Sequence, residues 1–191
     1  MREHVLSVRP KRTDLVDTAG TGGDGARTFN ISTAAALVAA AAGAGVAKHG
    51  NRAVSSASGS ADVLEALGFK LDLTPPQIER SIDELGFGFL FAQAHHPAMR
   101  HAAPVRRELA TRTVFNVLGP LSNPAEPPFH VIGAYNEPTA RLMAQAMSGM
   151  PLQRAFVIHG AAGWDEPSPL GPFLLLDVTP GKVRESRRTP A

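Results

Sequence analysis

Asp17-Thr18-Ala19-Gly20-Thr21-Gly22-Gly23-Asp24-Gly25 decides how the rest of this chain is understood. Four of the six residues from 20 to 25 are glycine, so the backbone can bend through conformations closed to other residues and bring its N–H groups close to a ligand. Ahead of it, Leu15-Val16 is a short apolar strand. Behind it, Thr28-Phe29-Asn30 leads into Ile31-Ser32-Thr33-Ala34-Ala35-Ala36-Leu37-Val38, a helix with Asn30 or Ser32 at its cap. The unpaired N–H groups and positive dipole end of that helix face the same space as the glycines, and phosphate is the natural guest.

Gly20, Gly22 and Gly25 also satisfy the G-x-G-x-x-G spacing of a dinucleotide site. In that motif the third glycine opens the helix, whereas Ala26 to Phe29 intervene here. The next strand should also end in an acidic residue for the ribose hydroxyls. Val46-Ala47 runs instead into Lys48-His49, which suits phosphate, including the phosphorylated ribose of NADP. A glycine-rich turn with no ligand is the plain alternative.

The 191 residues suffice for one sizeable α/β domain and not for two ordinary ones. A hydrophobic content of 43% with 19% charged residues fits a soluble globular protein, and no apolar run reaches membrane-spanning length. Met1-Arg2-Glu3-His4 lacks the apolar core of a signal peptide. With no cysteine, disulfides and thiolate metal sites are excluded, which fits the cytoplasm. The net charge of +2 is small, and its basic excess lies in Arg9, Lys11 and Arg12 at one end and Lys182, Arg184, Arg187 and Arg188 at the other. Nucleic-acid binding has only these tails in its favour.

Residues 1–13 read as the last turn of a helical domain followed by a linker, and 14–191 as an α/β domain. Strands are expected at Leu15-Val16, Val46 to Lys48, Phe87 to Phe91, His130 to Gly133, Ala155 to Ile158 and Phe173 to Leu176, with a short extended piece from Phe69 to Leu73. Helices are expected at Ser32 to Ala42, Ser60 to Leu67, from Thr74-Pro75 to Gly86, around Met99 to Leu109, and from Pro138 to Met147. Pro120, Pro124, Pro127 and Pro128 mark a long irregular connection. Strands alternating with helices predict a mainly parallel sheet with helices on both faces. Ligands in such sheets gather at the carboxyl ends of the strands.

Lys48-His49-Gly50-Asn51-Arg52, expected in the loop after the second strand, supplies cations, a carboxamide and a glycine, with Ser55, Ser56, Ser58 and Ser60 following. Alone it is a solvated turn; opposite the glycine loop it is a second polyanion cradle. Asp165-Glu166 follows a buried strand and a glycine-rich loop. Such a pair suits Mg²⁺, which takes one or two carboxylates together with phosphate oxygens, or else lies free in solvent. Among Arg100, Arg106, Arg107 and Arg112, one turned inward would suit a carboxylate-bearing partner. His95 and His96 lack partners at metal-ligand spacing, and no nucleophile elbow or zinc helix is present.

Taken together, Gly20 to Gly25, Thr28 to Thr33, Lys48 to Arg52, Ser58-Gly59-Ser60-Ala61-Asp62-Val63-Leu64-Glu65, His96-Pro97-Ala98-Met99, Arg112 to Asn116, Leu118 to Leu121, Asn123-Pro124 and Asp165-Glu166 make the chain similar to anthranilate phosphoribosyltransferases. Those enzymes join anthranilate to phosphoribosyl pyrophosphate in tryptophan biosynthesis. The resemblance implies a phosphoribosyltransferase fold of the nucleoside phosphorylase type, and a transfer with Mg²⁺ as cofactor. It implies that Gly20, Gly23, Asp24, Thr28, Asn30, Ile31, Ser32 and Thr33 hold phosphoribosyl pyrophosphate. Lys48, His49, Gly50, Asn51, Arg52, Ala53, Val54, Ser55, Ser56 and Ser60 would close over it. Ser32, Asp165 and Glu166 are implied as Mg²⁺ ligands, Gly20, Asn51 and Arg106 as anthranilate contacts, and Lys48, Asp165 and Glu166 as the catalytic groups.

Only the middle of the family pattern is matched. A small helical domain normally precedes it, forming the other wall of the anthranilate site and the homodimer contact, and further sequence follows. The chain is therefore expected to be a fragment, incomplete at the C-terminus and impaired alone, with apolar helix faces uncovered. Two other readings compete. One is a pyrimidine nucleoside phosphorylase, whose lysine-led glycine motif is missing here. The other is a noncatalytic nucleic-acid-binding relative, in which the acidic residues would have been lost.

Overall fold

Leu15 and Val16 open the first strand, β1 (Leu15–Gly20), in the computed structural model, which describes residues 4–26, 28–53, 58–109, 111 and 113–190, without the side chains of 103 and 107. There follow α1 (Ile31–Ala41), β2 (Gly45–Gly50), α2 (Ser60–Ala66), α3 (Pro75–Leu85) and β3 (Phe87–Phe91). The short α4 (Ala92–His95), α5 (Met99–Leu109) and α6 (Phe115–Leu118) lead through a 3₁₀ turn at Gly119–Leu121 to β4 (Phe129–Gly133). The remainder is α7 (Glu137–Ser148), β5 (Arg154–His159), β6 (Phe173–Thr179) and β7 (Lys182–Arg188).

The strands form one sheet in the order β3-β2-β1-β4-β5-β6-β7. Pairing is parallel from β3 across to β5 and antiparallel from β5 to β7. From β1 the chain builds outward through β2 and β3, then crosses to the other side of β1 and builds outward again. β1 therefore borders the point where the winding reverses, and a crevice opens there at the carboxyl ends of the strands.

Alternation along β2 divides the core. Val46 packs with Ala36 of α1 and Leu64 of α2 on one face. Ala47 packs with Ile78 and Ile82 of α3 on the other. Across β4 to β6, α7 buries Met143 and Met147 against Ile132, Val157, Leu174 and Leu176. Each such side chain contributes about 1.5–3 kcal/mol by leaving water. Val131, on the opposite face of β4, remains 36% exposed, so helical cover on both faces is realised over β1 and β2 and not evenly across the sheet.

Four expectations change. The strand expected to end at Lys48 runs on through His49 and Gly50, which were expected in the loop after it, and Asp17 to Gly20 belong to β1. Polar residues end both strands because their side chains find partners inside, so composition alone marked the ends too early. The supposed basic tail from 182 to 188 is the edge strand β7, whose residues are solvated and so lack apolar alternation. Phe69 to Leu73 forms no strand. Of the last helical turn expected from Arg2 to Leu6, residues 1–3 lie outside the described residues and Val5 and Leu6 are irregular. Residues 5–10 lie on the domain, where Leu6 N–H donates to His95 O at 2.9 Å, Val8 N–H to Pro124 O at 3.2 Å, and Val8 is fully buried.

Candidate active site

Gly20 ends β1, and Gly22, Gly23 and Gly25 have φ of 65°, 74° and 75°, conformations that favour glycine. Thr21 N–H donates to Gly133 O at 3.0 Å, and Tyr135 N–H donates to the Thr21 hydroxyl at 3.1 Å, which pins the loop to the end of β4. Asn30 caps α1 by accepting from Thr33 N–H at 3.1 Å, a bond worth about 1 kcal/mol. The Thr18 hydroxyl donates to Ser32 O at 2.8 Å and ties the first turn of α1 to β1.

Lys48 is 1% exposed. Its ammonium donates to Thr18 O and to Ser32 Oγ, the latter at 3.3 Å. Burial pushes it down to about 8, against the pull of Asp17 and Glu166. Asp17 lies behind it, fully buried, accepting from His49 N–H at 3.2 Å and from Asn123 Nδ2 at 2.8 Å, with its carboxyl pushed upward by burial.

Opposite Lys48 stands the acidic pair. Gly22 N–H donates to Asp165 Oδ2 at 2.7 Å, and Asp165 N–H donates to Asp24 Oδ2 at 3.3 Å. Burial, with Asp24 alongside, pushes Asp165 up to about 6. Burial and then Asp165 push Glu166 up to about 7, which Lys48 only partly offsets. These carboxyls share a pocket with too little positive charge, a donor set suited to a divalent cation. Among the described residues no three acidic or histidine side chains converge as a ready cage. The residues thus fit Mg²⁺, which is bound through one or two carboxylates plus substrate oxygens and water.

The glycine loop, the start of α1, Lys48 and the acidic pair border one cleft of about 330 Å³. Gly20, Gly23, Asp24, Thr28, Asn30, Ile31, Ser32, Lys48, His49, Gly50, Asn51, Arg52, Ala53, Ser60, Arg106, Asp165 and Glu166 all line it. Thr33 does not: its side chain is buried inside the first turn of α1. Arg52 lines the cleft, yet its guanidinium is engaged by Glu65 at 2.7 and 3.0 Å and by Asp62 at 3.1 Å. Arg106 stacks on Phe115, 5.4 Å from the ring centre. Val54, Ser55, Ser56 and Arg112, and the side chain of Arg107, lie outside the described residues.

A family model described as glycosyl transferase family, a/b domain, matches residues 12–191. The chain belongs to this glycosyl transferase family. Within it, the chain is 53% identical to an anthranilate phosphoribosyltransferase of Laribacter hongkongensis over 192 residues, covering 100% of this chain and 56% of that protein. It is 58% identical to one of Desulforudis audaxviator, covering 92% and 51%. The crystal structure of anthranilate phosphoribosyltransferase from Thermus thermophilus matches with a TM-score of 0.91 at 51% identity, over 100% of this chain and 56% of that one. The Saccharomyces cerevisiae enzyme in complex with PRPP and Mg matches with a TM-score of 0.86 at 34% identity, over 96% and 51%. This family member thus spans about half the length of the curated relatives it matches. Among its described residues no helix is long and apolar enough to cross a membrane.

Some residues of the site escaped motif reading. Gly160 seats the acidic loop: an added β-carbon there would stand 1.9 Å from Glu166 O. Thr18 and Asp17 hold Lys48 and β2 from below. The only sequence signal for these positions is a small or polar residue ending an apolar strand.

Proposed function

We propose that this chain forms the phosphoribosyl pyrophosphate site of an anthranilate phosphoribosyltransferase, which moves the phosphoribosyl group onto the amine of anthranilate and releases pyrophosphate in tryptophan biosynthesis. The observation that carries this is the meeting of Asp24, Ser32, Lys48 and Glu166, from four separate segments, around one cleft where the winding of the sheet reverses. The names of the relatives, and the PRPP and Mg bound by the yeast enzyme, support it.

In this scheme the glycine loop and the start of α1 receive the sugar and its phosphates, and the turn after β2 lies over them. Asp165, Glu166 and the Ser32 hydroxyl would hold Mg²⁺, which when bound supplies positive charge beside the leaving diphosphate. Anthranilate would sit against Gly20 and Asn51, with the planar fork of Arg106, backed by Phe115, matching its carboxylate. The amine nitrogen bonds to the anomeric carbon while the bond from that carbon to the diphosphate oxygen breaks. The electron pair leaves with the diphosphate, and the amine proton passes to it or to water. The sugar carries oxocarbenium character in between, as in glycoside hydrolysis. The Lys48 ammonium and the N–H groups at the start of α1 oppose the charge gathering on the leaving group. No general base is required, because an aromatic amine is an adequate nucleophile once positioned.

Such an enzyme is cytoplasmic, needs neither membrane nor nucleic acid, and acts in its whole form as a homodimer. Residues 1–191 assayed alone are expected to turn over slowly or not at all. The test is anthranilate consumption by the Laribacter hongkongensis protein carrying this stretch in place of its own. Turnover dependent on phosphoribosyl pyrophosphate and Mg²⁺ supports the proposal. A folded chimaera that leaves anthranilate untouched contradicts it.

A further inference from the structure

Asp62 of α2 has been given no role in the reaction, yet its carboxylate holds both stems of the turn that follows β2. Oδ2 accepts from Ala53 N–H at 2.9 Å and from Gly59 N–H at 2.8 Å, while Oδ1 accepts from Arg52 Nη1 at 3.1 Å. Two more features close the same neck. Ala61 N–H donates to Asn51 O at 3.1 Å, and an added β-carbon on Gly59 would stand 2.4 Å from the Ala53 nitrogen. Ala53 and Gly59 are thus drawn together around one side chain. Asn51, Ala53, Ser58 and Ser60 all line the cleft.

We propose that Asp62 is a positioning residue for phosphoribosyl pyrophosphate: by tying Ala53 to Gly59 it fixes where Asn51, Ala53, Ser58 and Ser60 meet the substrate. This rests on the proposed function. A carboxylate suits the task because it accepts several N–H bonds at once, and charge-assisted bonds are stronger than neutral ones. Those N–H groups hold the Asp62 carboxyl below the ordinary carboxylate range. The bond from Gly59 N–H also caps the start of α2, while Ala61 and Leu64 hold the body of the helix in the core. Asparagine at this position has one acceptor oxygen and cannot serve all three donors.

The test compares the unaltered chain with Asp62→Asn, and with Glu65→Gln, which removes a neighbouring charge but leaves the neck bonds in place. Amide hydrogen exchange at Ala53 and Gly59 is read without ligand, and phosphoribosyl pyrophosphate is titrated calorimetrically with Mg²⁺. Asp62→Asn should speed exchange at both amides, leave exchange in the sheet unchanged, and raise Kd about tenfold, the loss expected for about one bond to a charged group. Glu65→Gln should match the unaltered chain in both readouts. Should Asp62→Asn fail to fold, Asp62→Ser carries the same expectations. Unchanged exchange and affinity in the Asp62 variant, or an equal loss in Glu65→Gln, would overturn the inference. If the unaltered chain itself binds nothing, the proposed function fails and the positioning role falls with it. If it binds normally and only the Asp62 effect is missing, the inference fails alone.

Discussion

Gly133 and Asp165 are packed so tightly that a β-carbon added to Gly133 would stand 1.4 Å from the Asp165 carbonyl oxygen. The end of β4 therefore serves as the seat of the acidic loop, and no other residue type fits there without moving Asp165. Gly133→Ala should lower stability by about 1–3 kcal/mol, the usual cost of overpacking, and displace the pair it supports. Urea denaturation reads the first effect. Loss of any influence of Mg²⁺ on thermal stability in the presence of phosphoribosyl pyrophosphate reads the second.

Lys48→Met keeps the apolar stem and removes the ammonium. Binding of phosphoribosyl pyrophosphate should weaken by about 1.5–3 kcal/mol, the range for losing a hydrogen bond to a charged group. The buried Asp17 carboxylate then loses its nearest cation, so its upward shift should grow. A Kd within twofold of the unaltered chain would remove Lys48 from the site.

Arg106→Ala should weaken anthranilate binding about tenfold and leave phosphoribosyl pyrophosphate binding unchanged, since one charged hydrogen-bonding partner is lost. Fluorescence titration of anthranilate, set beside calorimetry of the other substrate, separates the two. Equal losses for both would mean that Arg106 acts through the fold of α5.

Acid should act through the buried histidines. His95 is 2% exposed, its Nδ1 donates to Leu6 O at 2.7 Å, and burial holds its pKa below the ordinary 6.5. Burial takes His49 down to about 3. A depressed histidine pKa means that the unfolded chain takes up protons first, so this stability is intact above pH 6.5 and is lost as pH falls below it. Asp17, Asp165 and Glu166 are shifted upward and work in the opposite sense, their burden easing as they protonate. The histidine share is isolated by difference. Unfolding free energy of the unaltered chain minus that of His95→Gln should shrink from pH 7 to pH 5, by at most about 1.4 kcal/mol per pH unit. A difference independent of pH would contradict the assignment.

Local chemistry made much of the fold legible. Asn30 caps α1, Thr74-Pro75 opens α3, Gly86 closes it with φ of 76°, and the alternation of apolar runs gave the parallel core of the sheet. Where partners come from far along the chain, the sequence was silent. That the Lys48 ammonium turns inward was not legible because its partners, Thr18 and Ser32, lie in other elements. The pairing of Arg52 with Asp62 and Glu65 had no signal in the sequence. β7 carries no apolar alternation because an edge strand can be solvated, and only its pairing with β6 reveals it. The composition of the cleft was readable from motifs, whereas Gly133, Gly160 and Asp62 needed the packing.

Calorimetric titration of phosphoribosyl pyrophosphate into this chain, with and without Mg²⁺, bears most directly on the site. Repeating it with Asp165→Asn/Glu166→Gln completes the comparison. Saturable binding that requires Mg²⁺ in the unaltered chain and weakens at least tenfold in the double variant is the expected result, from removal of the charges that face the cation. Binding indifferent to the metal and to both substitutions would contradict the assignment of this cleft to a magnesium-borne diphosphate.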